Sequence, residues 1–206
     1  MKINIGKTEL IHFVGIGGIG MSGLALIMDS LGFKIQGSDK SDNKNLNLLR
    51  KRKIPIYLNH NKQNIKNCTV LVVSSAIKKS NPEYRHAKKL NLPIYKRGEL
   101  LGHIVSLMKN IVVTGSHGKT TTTSILSNIM NYAKLDPTII NGGVLNSIGS
   151  SAKLGKSDWS LVESDESDGS FLQIPFNYSI ITNIDNEHLD YYRTMKNLKN
   201  KFIDCL

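Results

Sequence analysis

Apolar positions along this chain fall in short runs separated by amphipathic stretches. Leu10–Val14 and Lys34–Ser38 read as strands, with a helix over Ile19–Leu31 between them. A helix over Asn45–Arg52 precedes a β-branched run at Val70–Ser74, which reads as a buried strand. Pro82–Leu90 has helical spacing, and Asn81 before it is placed to cap the first turn. A short strand at Pro93–Tyr95 and a helix at Gly98–Met108 complete this alternation. Strand and helix taking turns in this way predict a parallel, doubly wound sheet. The pattern then restarts, with a strand at Asn110–Thr114, a helix at Thr120–Ala133, and strands at Thr138–Asn141, Trp159–Glu163 and Tyr178–Thr182. A last helix begins near Met195. Two domains are expected, 1–108 and 109–206, with few strands after the restart.

The first strand runs into FVGIGGIGMSG, which holds G-x-G-x-x-G at Gly15, Gly17 and Gly20, with Gly18 between them. Glycine permits the tight turn, and the next helix adds its positive end, so the loop suits an anionic diphosphate. Asp39 closes the second strand, where such folds place a carboxylate near a ribose. The geometry accepts any diphosphate nucleotide. An NAD-linked dehydrogenase is one reading, but a second phosphate loop downstream and the lack of a hydride-transfer site oppose it.

That second loop is VVTGSHGKTTTTS, residues 112–124. The usual phosphate loop is G-x-x-x-x-G-K-[ST]. Here Gly118, Lys119 and Thr120 supply its right-hand end, but the nearest upstream glycine is Gly115, so the loop is two residues short. Backbone N–H groups from Gly115 through Ser116, His117 and Gly118 to Thr121 are placed to wrap phosphates. Lys119 can reach the β- and γ-phosphates, and Thr120 can offer a hydroxyl to Mg²⁺. Two strands further on end in acids: Glu163 is followed by Asp165, Glu166 and Asp168, and Thr182 by Asp185, Glu187, His188 and Asp190. In a parallel sheet these ends converge on the ligand crevice, so a carboxylate there can hold a metal opposite the loop. Taken alone, either acidic run reads first as a solvated turn; its place after a strand and downstream of the loop brings the metal reading level with that.

Composition is that of a globular protein, with 40% hydrophobic and 21% charged residues. The net charge of +11 raises nucleic acid as a partner, but lysine outnumbers arginine 22 to 5 and is scattered. Readers of bases and phosphates favour arginine, so no nucleic-acid partner is expected. A basic surface also attracts anionic nucleotides. The 19-residue apolar run Leu10–Met28 is long enough to span a membrane, but five glycines break it, and a cytoplasmic protein is expected. Cys68 and Cys205 fit no metal or redox spacing and read as small apolar fillers.

Taken together, these segments resemble the bacterial Mur ligases, ATP-dependent amide-bond-forming enzymes of peptidoglycan precursor synthesis. Their ATP loop has the short form T-G-x-x-G-K-[ST], found here from Thr114 to Thr120. HFVGIGGIGMSGLA, GSD, VSSAIKKSNPE, GGVLNSIGSSAKLG, ESDESDGSF and TNIDNEHLDYY also resemble family segments, in order. The first glycine loop favours the branch that joins L-alanine to UDP-N-acetylmuramate over the branch that recycles a tripeptide. The resemblance implies a Rossmann-like sheet followed by a truncated P-loop NTPase-like α/β domain. It implies Gly15, Gly17, Gly18 and Gly20 at the diphosphate of the UDP-sugar and Asp39 toward its uridine. Gly115 to Thr121 would bind ATP, Thr120 and Glu163 one Mg²⁺, and His188 a second; Lys119, Glu163 and His188 would serve catalysis. The family's C-terminal domain and the rest of its central domain are expected to be missing, and with them the alanine site. A nucleotide-binding fragment without ligase activity is the alternative expectation. Glu187 stands where the family places Asp, and neither Lys199 nor Lys201 is assigned the carbamylation some members carry.

Overall fold

The computed structural model describes residues 5–145, 150–164 and 174–205. They fall into two compact units, Met1–Leu101 and Gly102–Leu206. Asp165, Glu166 and Asp168 of the first acidic run lie outside the described residues.

In the first unit, β1 (Leu10–Val14), β2 (Lys34–Asp39), β3 (Ile56–Leu58), β4 (Val70–Val73) and β5 (Ile94–Lys96) form one parallel sheet in the order β3-β2-β1-β4-β5. This is the doubly wound order, with its switch point between β1 and β4. The strands are connected through α1 (Ile19–Ser30), α2 (Lys44–Lys51), a 3-10 turn (Lys62–Ile65) and α3 (Pro82–Lys89). Helix α4 (Arg97–Ser106) comes directly after β5. Asn81 caps α3 by accepting from the N–H groups of Glu83 and Tyr84 at 2.8 and 3.2 Å. Strand β3 was not foreseen: it has three half-exposed or exposed residues, too few to show an alternation. β5 starts one residue past Pro93, whose carbonyl nevertheless accepts from the N–H of Leu71.

The core of this unit contains Ile11, Phe13, Val14, Leu24, Met28, Leu46, Leu49, Leu71 and Val72, all buried. Cys68 packs with Val14, Ile65, Leu71 and Ala87, as a filler would. Burial, and after it the charge of Glu83, pushes its thiol up to about 11, so it is inert near neutral pH.

A polar hub interrupts that core. Glu83 is fully buried and accepts from Ser38 Oγ (2.6 Å), Asn64 Nδ2 (2.7 Å), His60 Nδ1 (3.1 Å) and the N–H of Asn61 (3.3 Å). Gln36 Nε2 donates both to the Asn64 carbonyl and to His12 Nδ1, which leaves the proton of His12 on Nε2, facing Ser38 Oγ and Glu83. Burial alone would raise the carboxyl of Glu83, but the hydrogen bonds from His12, Ser38 and Asn64 hold it below its usual range. A depressed folded value stabilises the fold above the unfolded value, and that stability is lost as pH falls through the folded one. The thermal stability of the first unit is therefore expected to drop steeply below the ordinary carboxylate value of about 4.3. The drop should be shallower in Glu83→Gln, measured by circular dichroism.

The second unit is built on β6 (Lys109–Thr114), β7 (Thr138–Leu145), β8 (Ser150–Lys153), β9 (Trp159–Glu163) and β10 (Tyr178–Ile181), in the order β10-β6-β9-β7-β8. β8 is antiparallel to β7, and the other pairs are parallel. The sheet is thus larger than expected. β8 begins in a Gly- and Ser-rich segment that gave no strand signal. Helix α5 (Lys119–Tyr132) succeeds β6, and Leu126 on it packs against Val113, Ile139 and Leu161. A one-turn helix α6 (Leu189–Tyr192) and α7 (Met195–Cys205) enclose Tyr192, Leu198 and Phe202.

Candidate nucleotide-binding sites

In the first unit the glycine loop turns directly after β1, at the switch point. Gly15 has φ +80 and lies against Ser74 and Ile77, just beyond β4. The loop is bound tightly to the protein itself. Ser38 O accepts from the N–H groups of Gly15 and Ile16 at 2.8 and 3.0 Å, and the N–H of Gly18 donates to Gly15 O. Asp39 Oδ2 accepts from the N–H of Gly17 at 2.8 Å, and Asn45 Nδ2 donates to Gly17 O at 2.8 Å. A Cβ on Gly17 would fall 2.9 Å from Asp39 Oδ2 and 2.5 Å from Asn43 Nδ2.

The sequence placed Gly15, Gly17, Gly18 and Gly20 at a diphosphate; the amides of Gly15, Gly17 and Gly18 have partners within the protein. The loop leads into the first turn of α1, the part of a helix whose N–H groups lack intrahelical acceptors. Asp39 lies at the loop, where its Oδ2 holds the N–H of Gly17. Sequence reading missed Arg97. Its guanidinium lies over Gly20, with Nη1 2.8 Å from where a Cβ would stand. Gly20 therefore leaves room for a half-buried cation at the head of α1. Arg97 lies far along the chain from Gly20, so no local spacing signals the contact.

In the second unit the shortened loop sits at the C-terminal end of β6, between the ends of β9 and β10. Gly118 is left-handed (φ +79), has open space around its Cβ position and starts α5. Gly115 has φ +127, and a Cβ there would strike Thr182 Oγ1 and Asn183 O. Lys119 Nζ donates to the carbonyls of Gly115 (2.5 Å) and Ser116 (3.1 Å), which tethers it over the loop. Thr120 Oγ1 donates to Glu163 Oε1 at 2.9 Å, joining the head of α5 to the end of β9.

The loop is also tied to the segment after β10. Asn183 O accepts from the N–H of Ser116, and Asn183 Oδ1 from the N–H of His117 at 2.9 Å. Thr182 Oγ1 and Asn183 Nδ2 donate to His117 O at 2.7 and 3.0 Å. Ser116 Oγ accepts from the N–H of Asp185 at 2.8 Å. The ring of His117 lies with Nε2 3.4 Å from Asp185 Oδ2 and 3.6 Å from Glu187 Oε1. The amides of Ser116 and His117 are thus engaged within the protein.

Thr120 and Glu163 form a hard-oxygen pair of the kind Mg²⁺ takes, so the donor set fits that ion. His188, left-handed at φ +56, starts α6 next to Glu187. Among the described residues no three His, Cys, Asp or Glu side chains gather as a metal cluster.

The residues that form these two loops fall within two family matches. Residues 10–109 match the Mur ligase family catalytic domain, and residues 113–204 the Mur ligase middle domain. The chain belongs to the Mur ligase family. It is 66% identical over 203 residues to a protein of Pelagibacter ubique named UDP-N-acetylmuramate–L-alanine ligase, covering 98% of this chain and 44% of that one. A Brucella anthropi protein of the same name is 46% identical over 202 residues, with 98% and 42% covered. This Mur ligase chain spans less than half the length of the curated relatives it matches.

Among solved structures, a UDP-N-acetylmuramate–alanine ligase of Thermotoga maritima superposes with a TM-score of 0.83 at 32% identity, covering 96% of this chain and 46% of that one. A Neisseria ligase for the tripeptide L-alanyl-γ-D-glutamyl-meso-diaminopimelate superposes nearly as well, with a TM-score of 0.82 at 25% identity and 96% and 67% covered. Fold likeness hardly separates these two Mur ligases, while sequence identity favours the alanine ligases.

Proposed function

We propose that this chain is the nucleotide-binding portion of an ATP-dependent ligase that joins L-alanine to the lactyl carboxylate of UDP-N-acetylmuramate in peptidoglycan precursor synthesis, in the cytoplasm. The observation that carries this reading is the Thr120–Glu163 bond at the head of α5, beside a loop of the short T-G-x-x-G-K-T form. The names of the 66% and 46% identical relatives support the choice of substrate.

In this reading the first unit holds the UDP-sugar. The first turn of α1 supplies backbone donors to its diphosphate, Arg97 adds a full positive charge, and Asp39 fixes the loop by holding Gly17. Arg97→Ala is expected to weaken UDP-sugar binding roughly tenfold or more while leaving uridine binding unchanged, by calorimetry. Equal loss for uridine would show that Arg97 serves packing alone.

The second unit holds ATP. Lys119 moves from the loop carbonyls to the β- and γ-phosphates, and the amides at the head of α5 face the same oxygens. Thr120 and Glu163 would hold Mg²⁺, and His188 a second ion. Bound there, the ions would offset charge on the γ-phosphate. The carboxylate oxygen of the sugar attacks the γ-phosphorus and ADP leaves, giving an acyl phosphate. The L-alanine amine attacks the acyl carbon, loses a proton and expels phosphate, so an amide bond replaces the acyl phosphate. The test is phosphate release with ATP, UDP-N-acetylmuramate and L-alanine, with and without the C-terminal half of a relative. Release that depends on all three substrates is expected once that half is supplied. Release with the tripeptide but not with L-alanine would move the chain to the recycling branch.

A further inference from the structure

We infer that Asn183 is the positioning residue of the ATP loop, holding it in its phosphate-binding shape before nucleotide arrives. The inference rests on the reading of residues 115–121 as that loop. Residues 116 and 117 lie between two glycines of positive φ, Gly115 at +127 and Gly118 at +79. Glycine restrains the backbone least, so this span would sample many shapes if nothing external held it. Ordering it only when nucleotide binds would subtract from affinity, and ordering it beforehand does not.

Asn183 supplies the external hold. Its carbonyl takes the N–H of Ser116 at 3.0 Å. Its side-chain amide pairs with both polar groups of His117: Oδ1 accepts the N–H at 2.9 Å and Nδ2 donates to the carbonyl at 3.0 Å. The amide thus acts as a neighbouring strand would, at a place where β6 has turned away and no strand continues. Both groups of residue 117 fix the orientation of the amide, since reversing it would set donor against donor and acceptor against acceptor. Asp can make only one of the two bonds, and Ala neither. Thr182 Oγ1 adds a third bond to residue 117, at the same carbonyl, so Asn183 orients a loop that its neighbour also touches. The arrangement also accounts for Gly115, because any Cβ there would strike Thr182 and Asn183. His188, the second proposed metal residue, lies on the same segment a few residues on, so one stretch of chain sets both loop and ligand.

The test uses the 206-residue chain with Asn183→Ala and Asn183→Asp. A fluorescent ATP analogue with Mg²⁺ reports the second unit and UDP reports the first. Losing two hydrogen bonds to the loop is expected to weaken ATP analogue binding roughly ten- to a hundredfold in Asn183→Ala, with UDP affinity unchanged. Asn183→Asp is expected to weaken it further, because its charge faces both the His117 carbonyl and the phosphates. Hydrogen exchange without nucleotide should quicken at residues 115–118 in Asn183→Ala, while β6 and β9 stay protected. ATP analogue affinity and loop exchange both matching the parent would overturn the inference. So would an equal loss of UDP affinity, which marks general unfolding. If the parent chain binds UDP but no ATP analogue, the reading of the loop fails instead, and the exchange measurement alone decides Asn183.

Discussion

Lys119→Ala is expected to reduce phosphate release by at least roughly 10²–10³-fold, on the order found when one preorganised electrostatic contact to a transition state is removed. The assay is the three-substrate reaction with the C-terminal half supplied. Lys119 is the first residue of α5, and its ammonium rests on the carbonyls of Gly115 and Ser116, within the loop it would leave to meet a phosphate. Alanine keeps the helix start and leaves Thr120 bonded to Glu163, so the unit should fold and UDP should bind as before. Turnover near that of the parent would refute the assignment of the loop.

Glu83→Ala is expected to remove a large part of the first unit's stability and shift its urea midpoint well below that of the parent. Its fully buried carboxylate receives Ser38, His60, Asn64 and Asn61. Alanine would leave these donors inside the protein with no acceptor, each such loss costing about 1–3 kcal/mol. A combined loss of ~3–5 kcal/mol is the ordinary cost of removing one partner from a buried charged network, and it is a large part of a domain's ~5–15 kcal/mol. Urea titration monitored by circular dichroism measures the loss, with ATP analogue binding as the control on the second unit. A midpoint close to that of the parent would show that solvent reaches the hub and replaces the carboxylate.

The sequence made much of this framework readable because the elements that build the parallel sheets carry local signals. The β-branched run at 70–73 could only be buried, Asn81 before Pro82 announces a capped helix, and glycines after β1 and β6 mark both turns. β3 and β8 escaped for opposite reasons: one is short and half-exposed, and the other starts in residues that favour turns. At the sites, local spacing marks the loops but not the partners of their amides. An amide's partner is a tertiary fact, and Ser38, Asp39 and Asn183 take amides that the motif alone would leave for phosphate. Arg97 and Asn183 were missed on the same ground, since neither has a neighbour in sequence that hints at its partner.

The two glycines of the ATP loop fail in different ways when replaced. At Gly115 a methyl group meets protein, so the damage should appear as lost folding. At Gly118 it meets none of the described residues, and the left-handed backbone resists it, which asparagine tolerates better than most residues. If residues 115–121 bind ATP as proposed, a phosphoryl group would sit in the open space beside Gly118. Asparagine at that position should therefore yield a chain that melts almost normally yet is blind to triphosphate, a lesion that selection for stability alone would never detect.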